Sequence, residues 1–214
     1  MPVEYLLKVC ILGFPEELKT DWVRRYAEGK FTTDYLPILG VDITTKQIHV
    51  NCNNVKLILV DTASQEFFGK VRPSYYRGAS AAIITFDKGD RDSFNAVKKY
   101  YNEFEKYIPH GSIPITLVGF ITKSESKAST SFFLKIQKQL KKIRKWIDWF
   151  NNDEIYEEIT SDEGQSLAEE LGASYCETQP TLGENAIESI FHNLVLQVLR
   201  RNSPHEDHKE LGGN

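Results

Sequence analysis

Residues 5–22, YLLKVCILGFPEELKTDW, join an apolar run of strand type to a near match with the phosphate-binding pattern G-x-x-x-x-G-K-[ST]. Gly13, Lys19 and Thr20 stand in their places, and Leu18 occupies the position of the second glycine. A strand that runs through a short turn into a helix is the unit from which α/β sheets are assembled. The alternation continues downstream. Apolar runs recur at KLILVD (56–61), SAAIITFD (80–87), IPITLVGF (113–120) and ASYCET (173–178), with helical patterns at 19–28, 91–108, 161–171 and 185–201 between most of them. Such near-continuous apolar strands suit a sheet buried on both faces. TTKQIHV (44–50) and VKLILV (55–60) flank NCNN, a turn-rich tetrapeptide that tolerates left-handed backbone, so one antiparallel hairpin is expected there. The predicted fold class is therefore α/β: a mostly parallel six-stranded sheet with one antiparallel strand and helices on both faces.

The 214 residues, 41% hydrophobic and 26% charged, hold material for one sizeable core. A net charge of −4 gives no overall electrostatic reason to expect nucleic acid as a partner. Cys10, Cys52 and Cys176 stand far apart with no C-x-x-C spacing, which argues against a disulfide framework or a zinc site. The N-terminus lacks the pattern of a signal peptide, no window is apolar enough for a transmembrane helix, and the last residues hold no cysteine for prenylation. A cytoplasmic protein is expected, with one domain over residues 1–201 and a disordered polar tail over 202–214.

One segment falls outside the alternation. Between residues 124 and 158, Phe133, Ile136, Leu140, Ile143, Ile147 and Phe150 recur at steps of three and four, the stripe of an amphipathic helix over about 129–150. Lys135, Lys138, Lys141, Lys142, Arg144 and Lys145 make the remainder basic. Three readings stand together: a helix docked on its own domain with solvated lysines, one lying on an anionic membrane surface, or one filling a partner's groove, with Trp146 and Trp149 suited to either of the two interfaces.

The order of phrases then carries a resemblance. The loop at 13–20, YLPILGVDITTK (35–46), DTASQE (61–66), PSYYRGASAAIITFDKGDRDSF (73–94), ITLVGF (115–120) and YCETQPTLGENAIESIF (175–191) together resemble a Ras-superfamily small GTPase, with the Rab branch most similar. The resemblance covers about residues 5–125 and 158–201 and implies the P-loop Ras-like fold, GTP or GDP with Mg²⁺ as cofactors, and GTP hydrolysis. It assigns Gly13, Lys19 and Thr20 to the phosphates, Thr20 and Asp61 to Mg²⁺, and Gln65 to the attacking water.

The same resemblance exposes losses. Pro15 has no N–H to offer a phosphate, Glu16 and Glu17 bring like charge, and Leu18 adds a side chain where the backbone makes its close approach. Ile38 stands where the first switch has its threonine, and Ser64 where the second has a glycine. The guanine-reading motif N-K-x-D is replaced by Phe120, Ile121, Thr122 and Lys123, and the second base motif S-A-K by Gln179, Pro180 and Thr181. Lys123 offers donors where guanine's N–H groups need acceptors. Two functions are expected to compete: a pseudo-GTPase that meets protein partners through 38–45, 61–78 and the 129–150 helix, and an atypical nucleotide hydrolase using Lys19, Thr20, Asp61 and Gln65.

Overall fold

The computed structural model describes residues 4–28, 40–63, 72–122, 158–180 and 184–202. The strands are β1 (Glu4–Gly13), β2 (Val41–Val50), β3 (Asn53–Thr62), β4 (Ala81–Asp87), β5 (Ile115–Phe120) and β6 (Ser174–Thr178). The helices are α1 (Glu16–Glu28), α2 (Arg72–Tyr76), α3 (Arg91–Glu105), α4 (Ser161–Glu170) and α5 (Glu184–Asn202). They form one sheet in the order β2-β3-β1-β4-β5-β6. All neighbours run parallel except β2, which pairs antiparallel with β3 from Val41↔Thr62 to Val50↔Asn53. The expected mixed sheet is the one observed. The hairpin turn is Asn51-Cys52, with φ of 47° and 62°, while Asn53 and Asn54 already belong to β3.

Alternation along β1 divides the core. Leu7, Val9 and Ile11 face one side and pack with Leu18, Trp22 and Val23 of α1 and with Phe191, Leu194 and Val198 of α5. Cys10 and Leu12 face the other, with Tyr100 and Phe104 of α3 and Leu167 and Ala168 of α4. Burial pushes the Cys10 thiol up to about 12, so it acts as a small apolar residue. Aromatic rings fasten α1 in place: Trp22 meets Phe191 at 5.3 Å and Phe120 edge-on at 5.6 Å, and Tyr26 stacks on Phe191 at 3.9 Å.

The helix ends follow their sequence signals. Gly172, with φ of 62°, stops α4: its N–H donates to Glu169 O and that of Ala173 to Ala168 O, a Schellman arrangement. At the other end, Thr160 caps the helix in a reciprocal pairing with Glu163. Hydrogen bonds from Arg91, then from the Thr160 backbone, hold the Glu163 carboxyl well below its ordinary 4.5, at about 2. A depressed carboxylate contributes stability above its unfolded pKa and loses it as pH falls towards the folded one. Glu163 is 40% exposed, so screening limits the ion-pair share. Glu163→Ala is expected to cost about 1 kcal/mol at pH 7. In urea titrations that difference should shrink as pH drops from 4.5 towards 2.

Lys88, after β4, joins both ends of the segment that follows β5: its N–H donates to Phe120 O and its carbonyl accepts from Ile159 N. The Lys88 ammonium is buried against Glu177, 2.7 Å away, which also accepts from Tyr175 Oη. The expected helix at 129–150 and the tail from 203 onward lie outside the described residues. Among the described residues, no helix is long and apolar enough to cross a membrane.

Candidate functional site

The carboxyl end of β1 delivers the chain to the place where a phosphate loop would arch. Gly13 has φ of 101°, and a Cβ built there would lie 2.1 Å from the Thr85 carbonyl oxygen of β4. Close approach of two parallel strands thus requires this glycine whether or not any phosphate is bound. Phe14 follows, its N–H donating to Thr85 O at 3.0 Å, and then Pro15, after which α1 begins at Glu16.

The sequence pattern predicts this helix from residue 19; the structure begins it three residues earlier, at Glu16. The reason is local. Pro15 presets the entry dihedral just before the helix, and Glu16 and Glu17 sit in the first turn, where carboxylates complement the positive end of the helix dipole. Leu18 is not merely in the way of a ligand: it is buried in the core with Trp22 and Val23. The N–H of Lys19 donates to Pro15 O at 2.9 Å, an ordinary intrahelical bond. Where the phosphate pattern calls for an arch of amides, this segment makes a helical turn.

Three of the sequence-predicted site residues come together just beyond it. Lys19 is 0% exposed, and its ammonium pairs with Asp61 Oδ1 and donates to Thr62 O at 2.8 Å. The Thr20 hydroxyl donates to Asp61 Oδ2. Both carboxylate oxygens are thereby engaged, one by the ammonium and one by the hydroxyl. Gly13 ends β1 two residues past Ile11, the register partner of Asp61 near the end of β3, and the two strands run side by side in the sheet. Gln65, Ile38 and Ser64 lie outside the described residues.

Thr20 and Asp61 are oxygen donors of the kind Mg²⁺ takes, so their chemistry matches. Their arrangement does not: the carboxylate already neutralises a buried ammonium, and an incoming dication would have to displace it. The residues as placed do not fit the metal.

The base-recognition positions are bonded or packed within the fold, from buried Phe120 to exposed Thr122. Phe120 is fully buried, edge-on against Trp22. The Ile121 N–H donates to Thr178 O at 2.9 Å, and the Thr122 hydroxyl to Asp87 Oδ1 at 2.8 Å. Pro180 O accepts from Arg25 of α1, and Lys123 and Thr181 lie outside the described residues. Four residues not singled out by sequence form a further polar cluster: Arg72 and Tyr76 of α2 with Glu103 and Tyr100 of α3. The signal for it was faint, a glutamate between the apolar positions Tyr100 and Phe104 of an otherwise regular helix.

The Ras family profile matches residues 8–200. "Ras-related protein Rab-11B" of Dictyostelium discoideum is 30% identical over 191 residues, covering 89% of this chain and 73% of that protein. "Ras-related protein RAB1BV" of Beta vulgaris is 26% identical over 198 residues, 92% of this chain and 78% of that one. "GTP-binding protein YPT1" of Saccharomyces cerevisiae is 36% identical over 104 residues, about half of each chain. With the strand–turn–helix unit and the sheet order in agreement, this chain belongs to the Ras family and is a Rab-like small GTPase by descent.

Proposed function

We propose that this chain is a pseudo-GTPase: a Rab-like domain that binds protein partners, binds guanine nucleotide weakly or not at all, and does not hydrolyse it efficiently. The observation that carries this reading is the closed pairing of Lys19 and Thr20 with Asp61 beneath a helical turn. The residues that would meet phosphate and metal satisfy one another, and the amide of Lys19 is spent within α1. At the base site the Phe120 side chain has no hydrogen-bonding group, and its ring is part of the core. A switch needs two ligands that favour two conformations, and Ile38 removes the clearest contact by which one would be sensed. Partners are met through the switch-like surfaces at 38–45 and 61–78 and through the segment at 129–150, which also supplies the means for peripheral membrane contact.

One observation favours the competing reading of an atypical hydrolase: Lys19, Thr20 and Asp61 are gathered at one place, with Gln65 close in sequence. The two readings part in one experiment. The protein is purified without added nucleotide and denatured, and any released small molecule is identified by chromatography. GTP, GDP and ATP are then titrated with Mg²⁺. The pseudo-GTPase is expected to release no stoichiometric guanine nucleotide and to show GTP affinity weaker than about 100 μM, that is, less than about 5.5 kcal/mol of binding free energy. Stoichiometric guanine nucleotide, or micromolar GTP affinity abolished by Lys19→Ala, would overturn the pseudo-GTPase reading.

A further inference from the structure

Ala63 directly follows β3, and Arg72 is the first residue of α2. These two residues are joined directly. Arg72 is only 2% exposed, and its Nη1 donates to Ala63 O at 3.0 Å. The other side of the guanidinium meets α3 as a fork, Nε to Glu103 Oε1 at 3.0 Å and Nη2 to Oε2 at 2.9 Å. Tyr76, at the far end of α2, donates its hydroxyl to the same Glu103 oxygen at 2.8 Å and packs edge-on against Phe104. Arg72 also lies 5.6 Å over the Tyr100 ring. On the other side, the Ala63 N–H donates to Gly40 O at 2.8 Å, at the head of β2.

One connected set of bonds therefore ties the start of β2, the end of β3, α2 and α3 together. A helix of five residues cannot hold itself in water, so the position of α2 must come from such tertiary bonds. In nucleotide switches the equivalent ordering is supplied by contacts to a γ-phosphate and its metal. Here it is supplied by a buried, charge-assisted fork between two side chains of the chain itself.

We propose that Arg72 and Glu103 form a built-in clamp that holds the end of β3 and helix α2 in one arrangement against α3 with no nucleotide bound. The clamp goes beyond the pseudo-GTPase reading and does not rest on it: the fork needs neither Lys19 nor Asp61. It makes the 72–78 part of the partner-facing surface a constant feature of the molecule rather than one displayed on demand.

Hydrogen exchange on the full chain, purified without nucleotide and read by mass spectrometry, tests this. In the wild type, peptides covering Ala63 and residues 72–79 should exchange slowly, and Mg²⁺ with GTP should leave them unchanged. Glu103→Gln keeps the shape but removes the charge, and Arg72→Lys keeps the charge but removes the fork. Each is expected to speed exchange at these peptides about tenfold, while peptides from β1 and β5 change by less than about twofold. If Glu103→Gln does not fold, Arg72→Lys and the wild-type chain still decide the matter. Unchanged exchange in the variants, a rise spread evenly over the molecule, or strong further protection of 72–79 by GTP in the wild type would each overturn the clamp. GTP affinity measured by calorimetry on the same samples judges the pseudo-GTPase reading separately.

Discussion

Lys19→Ala is expected to lower the unfolding free energy of the nucleotide-free chain by about 3–5 kcal/mol, because it strands the Asp61 carboxylate in the core without its counter-charge. Thr20 would still donate to that carboxylate, but one neutral hydroxyl does not replace an ammonium. The companion result is the more telling. Removing both charges together, Lys19→Met with Asp61→Leu, is expected to return stability to within about 1 kcal/mol of wild type or above it, since well-packed apolar groups commonly replace a buried ion pair without loss. Urea unfolding of Lys19→Met, Asp61→Leu and the double variant measures the coupling. In an enzyme that keeps these residues for phosphate and metal, the single change would spare apo stability and abolish ligand affinity. A cost below about 1 kcal/mol for Lys19→Ala would therefore refute the internal role assigned to this pair.

Restoring the family's asparagine at the base site should do harm. Phe120→Asn is expected to cost about 3–5 kcal/mol, through the cavity left beside Trp22 and the amide placed in an apolar surrounding. No gain in guanine binding should accompany it, because the helical turn at Glu16–Lys19 is untouched. Chemical denaturation and GTP titration of the variant check both parts. A variant of near wild-type stability with new GTP affinity would mean that Phe120 covers a usable pocket rather than filling the core.

Much of the sheet was legible because its physics is local. Runs such as SAAIITFD and IPITLVGF are apolar on both faces, as parallel strands under two helical layers must be, and NCNN carries the left-handed residues that a hairpin needs. Helix α2 went unread because five residues are too few to show a period. The start of α1 was misplaced for a different reason. The match of Gly13, Lys19 and Thr20 to a phosphate pattern suggested a loop through Leu18, although Pro15 followed by Glu16 and Glu17 is an ordinary opening for a helix. The candidate site was legible as a set of residue types but not as a set of bonds. Whether Lys19 faces a ligand or Asp61 is decided by the packing of β1, β3 and α1, and the two residues are far apart in sequence. The fork between Arg72 and Glu103 was hidden by the same separation.

The backbone of Lys88 accepts from one bank of the gap between β5 and α4 and donates to the other. Both banks are thus moored to a single residue, itself anchored by a buried ammonium on Glu177. The domain consequently has little stake in how much chain is strung between them. Once the ends are fixed in this way, doubling the span costs only about 0.6 kcal/mol in closure entropy. Inserting or deleting residues between 122 and 158 of this chain should therefore leave the stability of the sheet nearly unchanged.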